Sequence, residues 1–195
     1  MVTSRHTQPF LRRDFCRALV TGVGMLLAVA LPGELAAQAD PLAVMQRLVA
    51  AENAGDLDAV MALWAEDAVL VNTRGRRVSG LEAIRKFEQS NIRDGVQHTL
   101  ASPTVDHDTV SWAFTDDTDF YRRLGVSPVH IVARAQVRDG KVIASTGYFP
   151  LAEIDRIEAA CRAPQNADVR LFGQSCEEFI TAARAHTKAI TGQSP

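Results

Sequence analysis

Residues 53–71, which read NAGDLDAVMALWAEDAVLV, contain the signals that decide the fold. Gly55 ends a helix that we predict over residues 41–54, because glycine readily adopts the left-handed conformation at a helix C-terminus. Asp56 then acts as the N-cap of a second helix. This helix would place four apolar side chains on one face: Leu57, Val60, Met61 and Trp64. The apolar run 68–71 predicts a short strand, so two helices and a strand open the domain.

Beyond this stretch the chain predicts a third helix, several strands and a helical C-terminus. Ser79-Gly80-Leu81-Glu82 has the spacing of a capping box, which would begin a helix with Ile84 and Phe87 facing inward. After Gly95 the hydrophobic period changes to two, which predicts strands near residues 96–105, 109–121, 126–138 and 141–150. Asp139-Gly140 favours a tight hairpin between the last two strands, because this dipeptide accepts positive φ angles. Helical spacing returns at Leu151, and a last helix is predicted over about 174–189.

Helices followed by a run of strands indicate an α+β protein. We expect a cone-shaped, curved antiparallel sheet with the N-terminal helices packed on its concave face, and a C-terminal helical extension. A bent sheet covered by helices encloses a pocket. Such pockets are usually mostly apolar with a few polar groups, so the fold predicts a small-molecule site.

Residues 1–39 have the pattern of a cleavable export signal. Arginines up to Arg17 precede an uncharged stretch, 18–31, that is shorter than the about 20 residues needed to span a bilayer. Arg12-Arg13-Asp14-Phe15 resembles the bacterial twin-arginine signal; a Sec leader and an N-terminal membrane anchor are the alternatives. Ala37-Gln38-Ala39 offers small residues for cleavage after Ala39. We therefore expect a periplasmic or secreted protein without a stable membrane anchor.

The charge balance limits the classes of partner. The chain has 21 basic and 23 acidic residues, and the leader holds four of the arginines and two of the acids, so residues 40–195 carry a net charge of −4. A mildly acidic domain repels phosphate backbones and anionic membranes. We therefore expect no nucleic-acid partner. A small hydrophobic or amphipathic molecule, or a second copy of the chain, is favoured.

Two cysteines remain after removal of the leader, Cys161 and Cys176. An even pair in an oxidising compartment favours a disulfide. A metal site would need further thiol or imidazole ligands, and His186 is the one histidine near them in sequence. The histidines also lack metal-binding spacing, so we expect a disulfide and neither a metal nor another cofactor.

The chain resembles the nuclear transport factor 2-like superfamily, within it the SnoaL-like, ketosteroid isomerase-like branch. The resemblance rests on 53–59, on Leu63-Trp64-Ala65-Glu66-Asp67-Ala68, on 79–87, on Asp139-Gly140-Lys141-Val142 and on Tyr148-Phe149. It spans about residues 42–158. It implies a domain over 40–158, preceded by the leader 1–39 and followed by an extension over 159–195 that the disulfide holds. This fold hosts enzymes, carriers and binding modules alike.

The resemblance also implies positions for the catalytic groups of the relatives. The general-base Asp of ketosteroid isomerases falls at Asn72, their oxyanion Tyr at Leu48, and their assisting Asp near Val132 or Ala133. An amide cannot accept a proton at a useful pH, so this chemistry is not expected. Relatives of limonene-epoxide hydrolase use an Arg-x-Asp pair, which falls at Asp117 and Asp119, and a second Asp, which falls at Gly147. We therefore lean against an enzyme, with the question left open.

Alternation along 109–121 puts Asp117, Asp119 and Tyr121 on one face, which is either solvated or turned into the pocket mouth. His130 and Arg134 share one face of the following strand and are the natural partners of these acids. The candidate ligand-binding residues are Asn72, Asp117, Tyr121, His130, Arg134 and Tyr148. Three hypotheses follow: a binding module for a small apolar ligand; a cofactor-independent isomerase, lyase or hydrolase with Asp119 as general base; and a dimerisation scaffold.

Overall fold

The computed structural model describes residues 40–192, so the predicted leader lies outside the described residues. The chain forms a six-stranded sheet with helices packed against it. Up to the end of the last strand of this sheet, the elements follow in chain order: α1 (Pro41–Ala54), α2 (Leu57–Ala62), β1 (Trp64–Val71), β2 (Arg77–Ser79), α3 (Leu81–Arg93), β3 (His98–Asp106), β4 (Thr109–Asp116), α4 (Asp119–Leu124), β5 (Val129–Arg138) and β6 (Lys141–Tyr148). The C-terminal part contains α5 (Leu151–Cys161), a 3-10 turn (Pro164–Asn166), the short strands β7 (Arg170–Leu171) and β8 (Gln174–Ser175), and α6 (Cys176–Thr191). The predicted α+β class is confirmed.

The sheet has the strand order β2-β1-β6-β5-β4-β3. All neighbouring strands are antiparallel except β1 and β6, which run parallel. Register shifts interrupt the pairings of β1 with β6, β3 with β4 and β5 with β6. Such irregularities bend and twist strands, which lets the sheet curve around the helices.

The N-terminal helices begin and end where the sequence indicates. The side chain of Asp56 accepts a hydrogen bond from the Ala59 amide at 3.0 Å, and Gly55 ends α1 with a φ of 69°. The apolar face of α1 is buried through Val44, Met45 and Leu48. These side chains belong to a core that α1, α2 and α3 form with the inner face of the sheet.

Three local predictions are wrong. Trp64 begins β1 instead of continuing the second helix, although it is buried as predicted. Ser79 remains in β2, opposite Val69, and Gly80 is the N-cap of α3 without a side-chain hydrogen bond, so the predicted capping box does not form. The strand predicted over 109–121 ends at Asp116, and the chain turns into α4.

Helix α4 has its own start and stop signals. Asp119 lies in its first turn, where a negative charge is favourable, and Gly125 ends it in the left-handed conformation. The alternation of side-chain types from residue 117 to 121 is too short to distinguish a strand from a short helix. Tyr121 consequently does not continue the side-chain pattern of β4.

A second core lies under the C-terminal helices. It contains Tyr121, Phe149, Ile154, Ile157 and Phe179, all fully buried. The predicted disulfide is present between Cys161 and Cys176, 15 residues apart, and it joins the end of α5 to the start of α6. Among residues 40–192, no helix combines the length and apolar character that crossing a membrane requires.

Candidate ligand-binding site

A cavity of about 140 Å³ lies between α1, α3 and the inner face of the sheet. Most of its wall is apolar, and large side chains from both helices and from β4 and β5 form it: Met45, Leu48, Phe87, Trp112, Phe114 and Ile131. Three acids and a histidine also reach this wall, namely Glu52, Glu88, Asp116 and His98. Acids and an imidazole in an apolar enclosure are unusual, because burial of a charge is costly unless it is paired.

Asp116, the last residue of β4, is 9% exposed. Its Oδ1 has no hydrogen-bond partner among the described residues. Burial raises the pKa of this carboxyl to about 6; the nearby charge of His98 lowers the pKa, and the charges of Asp117 and Glu52 raise it. Asp116 therefore changes protonation state close to neutral pH, which is a property of groups at functional sites.

His98 and Glu52 form a hydrogen-bonded pair, with 2.9 Å between imidazole Nδ1 and carboxylate Oε2. Burial works against a charged imidazole, but the hydrogen bond and charge of Glu52 outweigh it, so the pKa of His98 is raised above its ordinary value. The Asn53 side chain fixes this end of β3. It accepts from the His98 amide and donates to the His98 carbonyl, both at 2.7 Å. The imidazole is thus held against α1 by two neighbouring residues of that helix.

Glu88 of α3 is 2% exposed. Burial, followed by the charge of Glu52, raises the pKa of this carboxyl well above its ordinary range. The Asn91 amide donates to its Oε2 at 3.3 Å. The raised pKa favours the uncharged form of Glu88, which adds a polar group to the wall.

Trp64 supplies a second orphaned polar atom. Its side chain lines the cavity and is 3% exposed, and its indole Nε1 has no hydrogen-bond partner among the described residues. The cavity therefore has an unpaired donor, Trp64 Nε1, as well as an unpaired acceptor, Asp116 Oδ1.

Two of the predicted ligand-binding residues, Asn72 and Tyr121, line the cavity, as do Leu48 and Gly147. Asn72 performs a structural task there: its Oδ1 accepts from the amides of Arg74 and Arg76, each at 3.1 Å. Tyr121 is 1% exposed, and burial raises its phenol pKa well above the ordinary value.

The other predicted residues lie outside the cavity lining. On β5, Ile131 and Ala133 face the cavity, so His130 and Arg134 point to the opposite face of the sheet. Arg134 lines a groove on that opposite face, and His130 Nδ1 lies 3.1 Å from a carboxylate oxygen of Glu153. Tyr148 similarly follows Gly147, which faces inward.

Asp117 and Asp119 are held together by Arg122 at the start of α4. Arg122 donates to Asp117 Oδ1 at 2.8 Å and to Asp119 Oδ1 at 2.5 Å. The Asp119 side chain is 61% exposed. The expectation that these acids turn into the pocket mouth depended on a continuous strand over 109–121, which the structure corrects. Neither carboxylate belongs to the cavity wall.

Glu52, Glu88, His98 and Asp116 were not among the residues predicted for the site, although the sequence contains signals for the three acids. Asp116 shares the period of two with Trp112 and Phe114, which are on the buried face of β4. Glu52 follows Leu48 by four residues, and Glu88 follows Ile84 by four, so both acids occupy apolar faces of their helices. A carboxylate at such a position is a better indicator of a site than one in a polar run.

No group of three or more His, Cys, Asp or Glu side chains within residues 40–192 is arranged to hold a metal ion. The described wall contains groups that can form hydrogen bonds and transfer protons. Asp116 and the His98–Glu52 pair supply both, and the apolar remainder excludes water.

Comparison with known proteins agrees with the architecture. The family model of the SnoaL-like domain matches residues 45–145. A solved structure of a protein from Kribbella flavida has a TM-score of 0.50 at 21% identity, over 61% of this chain and 93% of that chain.

Two further structures share the fold. The epoxide hydrolase/cyclase-like enzyme SalBIII, described in pyran ring formation in salinomycin, has a TM-score of 0.52 at 16% identity, over 58% of this chain and 92% of its own. A computationally designed 17-OHP binder has a TM-score of 0.50 at 24% identity, over 58% of this chain and 92% of that chain. At these identities the likeness concerns the fold alone.

Proposed function

The chain belongs to the family of SnoaL-like domains, and from this premise we propose that it binds a small, largely apolar molecule with a polar group in the cavity. One observation carries the proposal: Asp116 Oδ1 and Trp64 Nε1 are buried in the cavity wall without partners among the described residues. A buried, unsatisfied polar group costs about 1–3 kcal/mol. A ligand that accepts from the indole and donates to the carboxyl would remove that cost.

The size of the cavity limits the molecule. An apolar cavity of roughly 150 Å³ accommodates a benzene-sized ligand, and the volume here is about 140 Å³. The buried part of the ligand is therefore on the scale of a single ring or a short chain.

Native mass spectrometry of the protein purified from its own compartment tests this function. We expect a retained small molecule in the wild type. Asp116→Asn and Trp64→Phe should each reduce its occupancy, whereas Asp119→Asn, which alters an exposed carboxylate, should not. A wild-type protein that carries no ligand, and that also binds no small aromatic compound in solution, would contradict the proposal.

A second candidate function is cofactor-independent acid–base catalysis, with Asp116 rather than Asp119 as the proton-transfer group. It is favoured by the pKa of Asp116, about 6, because a general base is most effective when its pKa lies near the working pH. The His98–Glu52 pair beside it would orient the substrate or hold a second proton.

Incubation of the retained ligand with protein in D₂O separates the two candidates. Proton abstraction from carbon by Asp116 would incorporate deuterium into the ligand, and Asp116→Asn would abolish this incorporation while Asp119→Asn would not. A bound ligand that neither exchanges nor changes in mass would leave binding as the function.

We also propose that the protein is exported to an oxidising compartment. The leader 1–39 and the Cys161–Cys176 disulfide support this, since disulfides persist mainly in such compartments. Replacement of Arg12 and Arg13 by lysine should block export if the twin-arginine route is used. A homodimer remains a prediction, which sedimentation at increasing protein concentration tests.

A further inference from the structure

A second, outer pocket adjoins the cavity, and Arg74 and Phe172 line both. The remaining wall of the outer pocket comes from the turn after β1 and from the C-terminal part: Gly75, Arg76, Gln174 and Ala182. A molecule that occupies the cavity therefore meets Arg74 at its boundary, and a second arginine, Arg76, lines the pocket on the other side.

The Arg74 side chain, which lies between the cavity and the outer pocket, is held in place by several contacts. Its guanidinium carbon lies 4.6 Å from the centre of the Phe172 ring and 5.9 Å from that of Phe179. Its Nη1 donates to Gln174 Oε1 at 2.8 Å. The backbone of Arg74 is fixed by the Asn72 side chain. The position of the charge is thus preorganised, which reduces the entropic cost of binding a partner.

The charge of Arg74 is not neutralised within the described chain. Arg85, Arg93, Arg122, Arg156, Arg162 and Arg184 each have a carboxylate partner, whereas no described carboxylate lies within 4.0 Å of the guanidinium of Arg74 or Arg76. Burial lowers the pKa of Arg74; the nearby Tyr121 opposes this, and the charge of Arg76 adds to the lowering. A half-buried cation beside a like charge is unfavourable until an anion joins it.

We propose that the ligand of the cavity is an amphipathic anion, such as a small aromatic or short-chain carboxylate, with its apolar part in the cavity and its negative group bound by Arg74 and Arg76. The planar guanidinium of Arg74 suits a carboxylate, because its N–H groups can donate two parallel hydrogen bonds. This inference rests on the proposed ligand-binding function and adds the chemical class of the ligand and the residues that select it.

Three acids paired with their neutral amides test the inference: benzoate, phenylacetate and 4-phenylbutyrate against the corresponding amides. Binding is followed by the fluorescence of Trp64 and Trp112, which are the two tryptophans of the chain and both line the cavity, and by calorimetry. We expect the best acid to bind about tenfold or more tightly than its amide, as a charge-assisted hydrogen bond predicts.

Arg74→Gln should reduce this preference to about threefold or less, mainly because the variant binds the acid more weakly. Arg77→Gln is the matched control, because Arg77 is exposed and donates to Ser79 away from both pockets. If Arg74→Gln fails to fold, Arg76→Gln decides. This exposed side chain has no described partner, and its loss should still lower the preference about threefold.

The outcomes are distinguishable. Acid and amide that bind the wild type equally would overturn the inference and leave the proposed function intact. A preference for acids that persists in both arginine variants would also overturn it. Failure of all six compounds to bind would overturn the inference, whereas the proposed function falls only if the purified wild type also retains no ligand.

Discussion

His98 and Asp116 are direct partners across the β3–β4 pair, at the end where both strands meet the cavity. Cβ atoms of such pairs are about 4.5–5.5 Å apart, so the two side chains sense each other's charge. The charge of His98 lowers the pKa of Asp116, and that of Asp116 raises the pKa of His98, while burial opposes both charges. Asp116, with a pKa of about 6, therefore changes its protonation state close to physiological pH.

Asp116→Asn should stabilise the protein at neutral pH. The folded carboxyl has a pKa of about 6, against roughly 3.9 in the unfolded chain. The folded state therefore binds the proton more tightly, and wild-type stability falls as the pH rises between these values. We expect the variant to gain on the order of 1–3 kcal/mol in the free energy of unfolding at neutral pH, and little at about pH 4. Urea denaturation at several pH values measures this.

Asp119→Asn is the control for that experiment, because its carboxylate is exposed and should change stability by about 0.5 kcal/mol or less. Equal stabilities of wild type and Asp116→Asn at neutral pH would mean that the buried Asp116 carboxylate does not destabilise the folded protein.

Glu52→Gln should lower the pKa of His98, because the hydrogen bond and charge of Glu52 are what raise it against burial. An imidazole with a raised pKa stabilises the fold below the unfolded value of about 6.5, and this stabilisation is lost as the pH rises through the folded value. NMR titration of the imidazole resonances follows the change. Glu82→Gln, which alters an exposed partner of Lys86, should leave the His98 titration unchanged. An unaltered His98 titration in Glu52→Gln would contradict the assigned pair.

Reduction of Cys161–Cys176 should destabilise the protein by about 3 kcal/mol, the chain-entropy value for a loop of roughly 15 residues. Denaturation with and without a reductant measures the loss. The double variant Cys161→Ser/Cys176→Ser serves as control, since a reductant should have no further effect on it. Reductant-insensitive stability of the wild type would show that the crosslink adds nothing to the fold.

Asn72→Ala should cost about 1–3 kcal/mol, because it leaves the amides of Arg74 and Arg76 without their side-chain acceptor. Asn72→Asp retains an oxygen at that position and should lose less than half as much. Thermal or chemical denaturation compares the two. If alanine and aspartate are equally tolerated, the side chain does not hold the turn.

The sequence predicted the scaffold well where each signal was local. Gly55, Asp56 and Asp139-Gly140 act through their own backbone conformation and side-chain reach, so their effects could be assigned without the rest of the chain. The Cys161–Cys176 pairing was also predictable, because these two cysteines are the ones that remain after the predicted leader is removed. The end of β4 at Asp116 was not predictable, because the polar residues that follow it are compatible with both a strand and a helical turn.

The sequence predicted a cavity, and of the six predicted ligand-binding residues Asn72 and Tyr121 line it. Alternation in the sequence does not show where β4 ends or which face of β5 is covered, and both decide whether Asp119, His130 and Arg134 reach the cavity. Because alternate residues point to opposite faces, an error of one position exchanges wall residues for exposed ones.

The amino-acid sequence by itself determined the longer helices and strands, the α+β class of the fold and the crosslink, but not the short elements β2, α4, β7 and β8. Local conformational preferences and hydrophobic periods are enough to predict the longer elements. Only the tertiary structure decided which charges meet. Glu52, His98 and Asp116 come from α1, β3 and β4, and the pKa values of His98 and Asp116 depend on burial and on neighbours distant in sequence. The same holds for Arg74 and the rings of Phe172 and Phe179, which the folded C-terminal part brings against it.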